Sequence, residues 1–389
     1  MRIIYPDPNC VPDKTPAALQ ILQNVQAIAQ LGHQVELLTP KSRNGLTPQD
    51  VLGQPLLPGV KAHALPDFRR RWYFPTSSNR LFYFQAKRWL RRQRDCVVLV
   101  RNLKLAEHLL KTPGMPPLFF ETHEIFAQSF RETHASMTKS VARKASMIAQ
   151  REEFVYRHCK GIIAITRHLA EDLVSQYNIK TPIHVAPDGV DMELAERAIS
   201  LNKNAVPILL YLGSLHPWKG VDTLIRMMQY VDAAKLRVVG GTHDRIAELR
   251  QLASQLGVDD RIEWLGPVDP VKRFEVIAAA DICLIPSSET SIGARFTSPL
   301  KLFEYMALGK PIVASDLPSM REVLKDGESA LLTTCGDGKR YADAVNLLLA
   351  EPALQNRLGM NAKALCSQYT WKVRARGMLA FIERVVGRS

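Results

Sequence analysis

Three segments hold residues whose types and spacing suit the binding of an anionic, hydroxyl-bearing ligand in a cleft. The first is Tyr211-Leu-Gly-Ser-Leu-His-Pro-Trp-Lys219-Gly220. Gly213 allows the amides of a tight loop to turn toward a ligand. Ser214 follows it, and Lys219 places a cation just before the next apolar run, as an anion site at a helix N-terminus needs. A plain turn with a surface lysine fits the same spacing. The second segment runs from Ser298 to Ser315. Ser298 is expected as a helix N-cap, Pro299 at the first helical position, Leu300 after it and Gly309 at the stop. Lys301 then falls in the first turn, where the helix dipole disfavours a cation by about 0.3–1 kcal/mol. A bound anion reverses that sign. Glu304, one turn on, is placed to accept hydrogen bonds from sugar hydroxyls; a solvated Lys–Glu pair is the alternative. The third is Phe119-Phe-Glu-Thr-His123-Glu124. His123 ends an apolar strand and would face a cleft there, although a lone histidine is more often structural. Several chemistries are disfavoured by what is missing. No GxGxxG follows a strand, and no GxxxxGK[ST], HExxH or Asp-x-Asp occurs. A nicotinamide dehydrogenase, a P-loop NTPase, a zinc protease and an Asp-x-Asp metal clamp lack their signatures.

The elements that must position these residues alternate between short apolar strands and amphipathic helices. Arg2–Tyr5, Val35–Leu38, Val97–Val100, Leu118–Phe120, Ile162–Ile165 and Ile183–Ala186 read as strands of a first half. Pro16–Leu31 reads as a helix stopped by Gly32, and Ser136–His158 as a long one. The rhythm restarts at Ile208–Leu212 and continues through Leu236–Val239, Ile262–Leu265, Ile282–Ile285, Ile312–Ala314 and Ala330–Thr333. Apolar strands separated by helices predict parallel sheets covered on both faces. The expected class is α/β, with two doubly wound domains facing a cleft into which the strand carboxyl ends open. The expected bounds are 1–190, a polar linker at 191–206, 207–368, and a last helix within 369–389.

The chain has 389 residues, 46% hydrophobic and 23% charged, which excludes a disordered chain and allows two cores. The opening MRIIYPDPNCVPD is too short in apolar residues for a signal peptide, and the longest apolar run contains Asp281. A soluble or peripheral protein of the cytoplasm is expected. The six cysteines show neither a CxxC pair nor zinc spacing, so free thiols in a reducing compartment are expected. The net charge is +13, and residues 68–101 hold ten basic residues against one acidic. In that stretch Arg69, Arg70, Arg71, Lys87, Arg88, Arg91 and Arg92 interleave with Trp72 and Trp89. Such a patch suits an anionic membrane surface, each cation adding about 1 kcal/mol near it. A solvated basic face or an acidic glycan site are alternatives. Nucleic acid is not expected, because no recognised module surrounds the patch.

The blocks YLGSLHPWKG, PDGVD and SPLKLFEYMALGKPIVASDLPSMREVLKDG together resemble the retaining glycosyltransferases of family 4, which have the GT-B fold. The resemblance covers nearly the whole chain and is looser in the first half. It implies transfer of a sugar from a nucleotide-sugar with retention, without a cofactor or essential metal. It implies that Lys219 contacts the donor diphosphate, Glu304 the ribose, and His123 the donor sugar, with Gly213 in the loop under the phosphates. It also implies a tail helix that crosses back to the first domain. Two positions depart from the family. Ser214 stands where arginine is frequent, and Phe296 stands eight residues before Glu304, where a glutamate is usual. Lys301 and Arg295 are expected to replace the missing cation, and Glu289 to serve the donor sugar. A UDP-sugar donor is favoured over GDP-mannose. The acceptor expected is a glycolipid, a lipid-linked saccharide or an envelope polysaccharide, with the enzyme peripheral on the inner face of the cytoplasmic membrane. A catalytically impaired scaffold of the same fold is the alternative from another class.

Overall fold

The computed structural model describes residues 1–42, 44–69, 78–134, 136–198 and 204–387. It holds two compact units, Met1–Pro187 together with Trp371–Ser389, and Asp188–Thr370.

The first unit is built on a seven-stranded sheet ordered β3-β2-β1-β4-β5-β6-β7. Its strands are β1 (Arg2–Pro6), β2 (Gln34–Pro40), β3 (Val60–Leu65), β4 (Val97–Val100), β5 (Leu118–Thr122), β6 (Gly161–Ala164) and β7 (Ile183–Val185). Every neighbouring pair is parallel. β4 and β6 are buried at every residue, as continuous apolar runs covered by helices on both faces must be. The Pro16–Gln30 helix starts where the Thr15 side chain accepts the Ala18 amide, and the chain turns away at Gly32 with φ +83°. The Trp371–Val386 helix returns to this unit and packs on the Pro16–Gln30 helix.

The second unit carries a six-stranded sheet ordered β10-β9-β8-β11-β12-β13. Its strands are β8 (Ile208–Leu212), β9 (Lys235–Val239), β10 (Ile262–Gly266), β11 (Ile282–Ile285), β12 (Ile312–Ser315) and β13 (Leu331–Thr333). These pairs are parallel too. In each sheet the strand order reverses once, between β1 and β4 and between β8 and β11. A reversal parts the crossover connections and leaves a crevice at the strand carboxyl ends, where α/β sheets bind ligands.

Three of the elements absent from the sequence reading are instructive. β3 was not expected, because Val60–Leu65 mixes small and polar residues and none of it is buried. Arg80–Leu90, read only as a basic stretch, is a helix that buries Phe82, Ala86 and Leu90. Met192–Arg197, inside the polar segment, is a short helix capped by the Asp191 side chain.

Candidate active site

In the second unit the site grows from the end of β8. Gly213 has φ +146°, and its amide donates to the Val239 carbonyl at 2.9 Å. A Cβ on Gly240 would meet the Gly213 oxygen at 2.1 Å, so two glycines let the β8 and β9 ends touch. Lys219 ends the short turn Pro217–Lys219. Gly220 follows with φ +68°, and a Cβ there would lie 1.8 Å from the Pro286 oxygen beyond β11. The close crossing pins Lys219 at the switch point. Its ammonium lies 3.8 Å from the centroid of the Trp218 ring.

Lys301 reaches the same place from the Leu300–Ala307 helix. Its ammonium lies 3.8 Å from the Tyr211 ring centroid, and Tyr211 in turn donates its hydroxyl to the Ser214 carbonyl at 2.5 Å. Among the described residues neither ammonium has a hydrogen-bonding or carboxylate partner. Burial lowers the Lys219 pKa to about 8. Burial, and then the charge of Lys219, drive that of Lys301 well below the ordinary lysine value. Two ammonium groups are thus desolvated within electrostatic reach of each other, faced by aromatic rings instead of carboxylates. Cation–π contact recovers only about 0.5–2 kcal/mol of that cost. An anion with several oxygens is the ligand that relieves it.

The helix itself begins one residue later than the spacing predicts. Its N-cap is Pro299, with no side-chain cap bond, and Leu300 is partly buried at the first helical position. Ser298 is not the cap: its hydroxyl accepts the Asp188 amide at 2.9 Å, so the serine ties the start of this unit to the site loop. Glu304 is not a solvated partner of Lys301. It is buried, and its Oε1 accepts from Arg273 Nε at 2.7 Å, while Arg273 also donates to the Pro270 carbonyl. Arg273 was missed, because nothing in the sequence spacing joins residues 31 positions apart on different helices.

The loop before this helix makes a π-helical turn over Ile292–Phe296. Phe296 is 1% exposed, so the departure from the family pattern is filled by a core side chain. Arg295 lies partly buried in that turn. Glu289 is exposed, and its backbone and charge act on the Cys335 thiol. Neither contributes to the electrostatics of Lys219 or Lys301. Of the residues named for the missing cation, Lys301 is the one that feels the charge of Lys219.

In the first unit His123 follows β5 and is held by Glu121. Glu121 is fully buried and accepts from Arg374 at 2.8 Å, His123 Nε2 at 2.9 Å and Gln20 at 3.3 Å. Burial pushes its pKa up, but Arg374, then His123 and Arg101, overcome this and hold the carboxyl well below the usual range. An ionised carboxylate only accepts, so His123 carries its proton on Nε2. Residues 121 and 123 share one side of an extended chain. That period was the available signal for Glu121; Arg374, 253 positions away, had none.

The basic stretch is divided. Arg70, Arg71 and Trp72 lie outside the described residues. Arg69 is used internally, on Asp67 at 2.8 Å and on the Pro8 carbonyl and Asn79 at 2.9 Å. Trp89 packs on His63, 5.0 Å between ring centroids. Lys87 is partly buried, its ammonium 6.0 Å from the Phe84 centroid, while Arg88, Arg91 and Arg92 are exposed.

The profile described as "Glycosyltransferase Family 4" matches residues 17–194, and the one described as "Glycosyl transferases group 1" matches residues 206–351. The chain belongs to glycosyltransferase family 4. It is 30% identical over 246 residues to D-inositol 3-phosphate glycosyltransferase of Xylanimonas cellulosilytica, covering 59% of this chain and 58% of that one. The match therefore spans just over half the length of that curated relative. The fold is shared with sucrose-phosphate synthase from Thermosynechococcus elongatus, at TM-score 0.79 and 20% identity over the whole of both chains. It is also shared with Anabaena HepE in complex with UDP-glucose, at TM-score 0.74 and 17% identity, over 99% of this chain and 100% of that one. Two Rossmann-like units of parallel sheet make this family 4 chain a GT-B protein.

Proposed function

We propose that this chain is a retaining glycosyltransferase that takes its sugar from a UDP-sugar without help from a metal. The paired ammonium groups of Lys219 and Lys301, with no acidic partner among the described residues, carry this reading. A nucleoside diphosphate leaving group develops charge as the glycosidic bond breaks. Preorganised cations in a desolvated site stabilise that charge more in the transition state than in the ground state. Lys219, Lys301 and the amides of the Gly213–Ser214 loop supply the charge. Glu304, clamped at Oε1 by Arg273, offers its other oxygen to the ribose hydroxyls. No side-chain nucleophile is required: the departing phosphate oxygen takes the acceptor's proton on the face it leaves. His123, fixed in one tautomer by Glu121, positions a sugar hydroxyl. HepE has been seen with UDP-glucose, which favours a uridine base here over guanosine.

Thermal unfolding with UDP, GDP and ADP, each with magnesium and with EDTA, tests this. UDP at a hundredfold excess over its Kd adds about 2.7 kcal/mol of stability. The expected result is a shift with UDP alone, equal in magnesium and EDTA. A shift that needs magnesium overturns the metal-independent part, and no shift with any nucleotide favours the impaired scaffold.

A peripheral site on an anionic membrane is a second reading, supported by the Arg80–Leu90 helix. It exposes Leu81 and Phe84, the latter 55% exposed, and is followed by exposed Arg91, Arg92 and Arg94. Apolar side chains among cations are what a headgroup layer accepts. No helix among the described residues is long and apolar enough to cross a membrane. Flotation with phosphatidylglycerol vesicles should carry the wild type upward and Phe84→Glu much less. Equal flotation of both removes this reading.

A further inference from the structure

The first unit contains a cavity of about 1260 Å³ at the carboxyl ends of β1, β4 and β5. Asp7 follows β1, Arg101 follows β4 and His123 follows β5, and all three line it. The cavity thus sits at this sheet's own switch point, as the lysine pair sits at the other.

Two features of the lining select an occupant. The first is a hydrogen-bond vacancy. Asp7 is completely buried; its Oδ1 accepts the Asn9 amide at 2.8 Å, and its Oδ2 has no partner. Leaving such an oxygen unpaired costs about 1–3 kcal/mol, so a donor from a ligand is the expected complement. The second is an excess of positive charge. Arg80 and Lys104 are exposed on the wall, and Arg101 is anchored by Gln20 at 2.5 Å. Glu107 and the partly buried Glu124 also line the cavity; Glu107 is already taken, by Lys111 at 2.7 Å and by Arg151, and the five cations of the lining outnumber its three carboxylates. Lys104 stands in the first turn of the Leu103–Leu110 helix, and that turn holds no acidic residue. The helix dipole disfavours a cation there unless an anion joins it.

We propose that this cavity takes a phosphorylated polyol as acceptor, with a hydroxyl on Asp7 and the phosphate among Arg80, Arg101 and Lys104. This rests on the glycosyltransferase reading and names the acceptor class for it. A neutral saccharide uses the Asp7 oxygen but leaves the cationic wall unmatched. A bare anion does the reverse. The phosphate is either free or the headgroup of a lipid, and the two sources offer the same chemistry to the wall.

The test is calorimetric titration of the full chain with a panel of soluble hexose, inositol and glycerol phosphates, their parent polyols, glucuronate and inorganic phosphate. Phosphatidylglycerol vesicles form the lipid arm. The expected result is that at least one phosphorylated polyol, soluble or in the vesicle, binds tenfold or more tightly than both its parent and inorganic phosphate. Arg80→Ala and Lys104→Ala should each weaken it roughly fivefold, as partly screened ion pairs do. Asp7→Asn should weaken phosphorylated and parent polyols alike, by roughly tenfold. Equal affinity for phosphate and parent across the panel overturns the proposal. So does binding indifferent to Arg80 and Lys104, or glucuronate binding as tightly as the best phosphate. UDP affinity is measured in parallel on the same protein. UDP binding without a preferred phosphate defeats this inference alone, whereas loss of UDP binding defeats the function it rests on.

Discussion

At the residue scale, the diphosphate role proposed for the lysine pair predicts proton uptake on donor binding. Lys219 has its pKa lowered to about 8, and Lys301 lies further below its ordinary value. A diphosphate restores both toward the usual lysine range, so binding near pH 8 must take up protons. Titrating UDP in buffers of different ionisation enthalpy should show net proton uptake at pH 8, and UDP affinity should fall as the pH rises above that value. Lys219→Arg should flatten the fall, because guanidinium stays charged. Uptake that is zero and unchanged by the substitution defeats this assignment. The free protein gives the opposite slope. The unfolded chain holds a proton on Lys219 up to about pH 10.4, and the folded chain loses it near 8, so this group's contribution to stability rises with pH between the two. The lysines were legible in the sequence as motif positions. Their mutual repulsion was not, because it depends on where Tyr211 and Trp218 close around them.

At the element scale, the proposed ribose contact gives Glu304 of the Leu300–Ala307 helix a second job beside its ion pair. The ion pair with Arg273 is buried on both sides, which makes it costly to break and cheap to replace. Glu304→Leu alone leaves the guanidinium buried without a partner and should cost about 3–5 kcal/mol. Adding Arg273→Met should recover most of that stability in urea unfolding, yet UDP affinity should remain lost. Recovery of both would make Glu304 purely structural. The strand pattern was largely readable, since β8, β11 and β12 are apolar runs bounded by Pro, Gly or Asp. What misled was local. Ser298-Pro299 has the sequence of a cap, but the Asp188 amide claims the serine hydroxyl and the helix starts later. β3 escaped notice because an edge strand facing water has little hydrophobic pattern to show.

At the scale of the whole molecule, the chain leaves the first unit at Pro187 and returns to it at Trp371. The returning helix belongs to the core of that unit. It buries Met378, Leu379, Phe381 and Ile382, and a Cβ on Gly161 of β6 would sit 2.7 Å from the Phe381 ring. It also delivers Arg374, the strongest charge opposing the burial of Glu121. Four such side chains contribute about 1.5–3 kcal/mol each, and stranding the buried carboxylate costs about 3–5 kcal/mol more. Together these are comparable with the whole stability of a typical domain, about 5–15 kcal/mol. Residues 1–187 alone should therefore unfold without a cooperative transition. Fusing residues 371–387 to them through a flexible linker should restore one. Residues 188–370 are continuous in sequence and should fold alone. Arg374→Met isolates the electrostatic share. With its pKa held below the unfolded value, Glu121 contributes stability above about pH 4.3 that is lost as the pH falls through the carboxylate range. Urea unfolding from pH 3 to 7 should show a steeper rise with pH in the wild type than in the variant. Parallel slopes would mean that the tail helix holds the first unit together by packing alone.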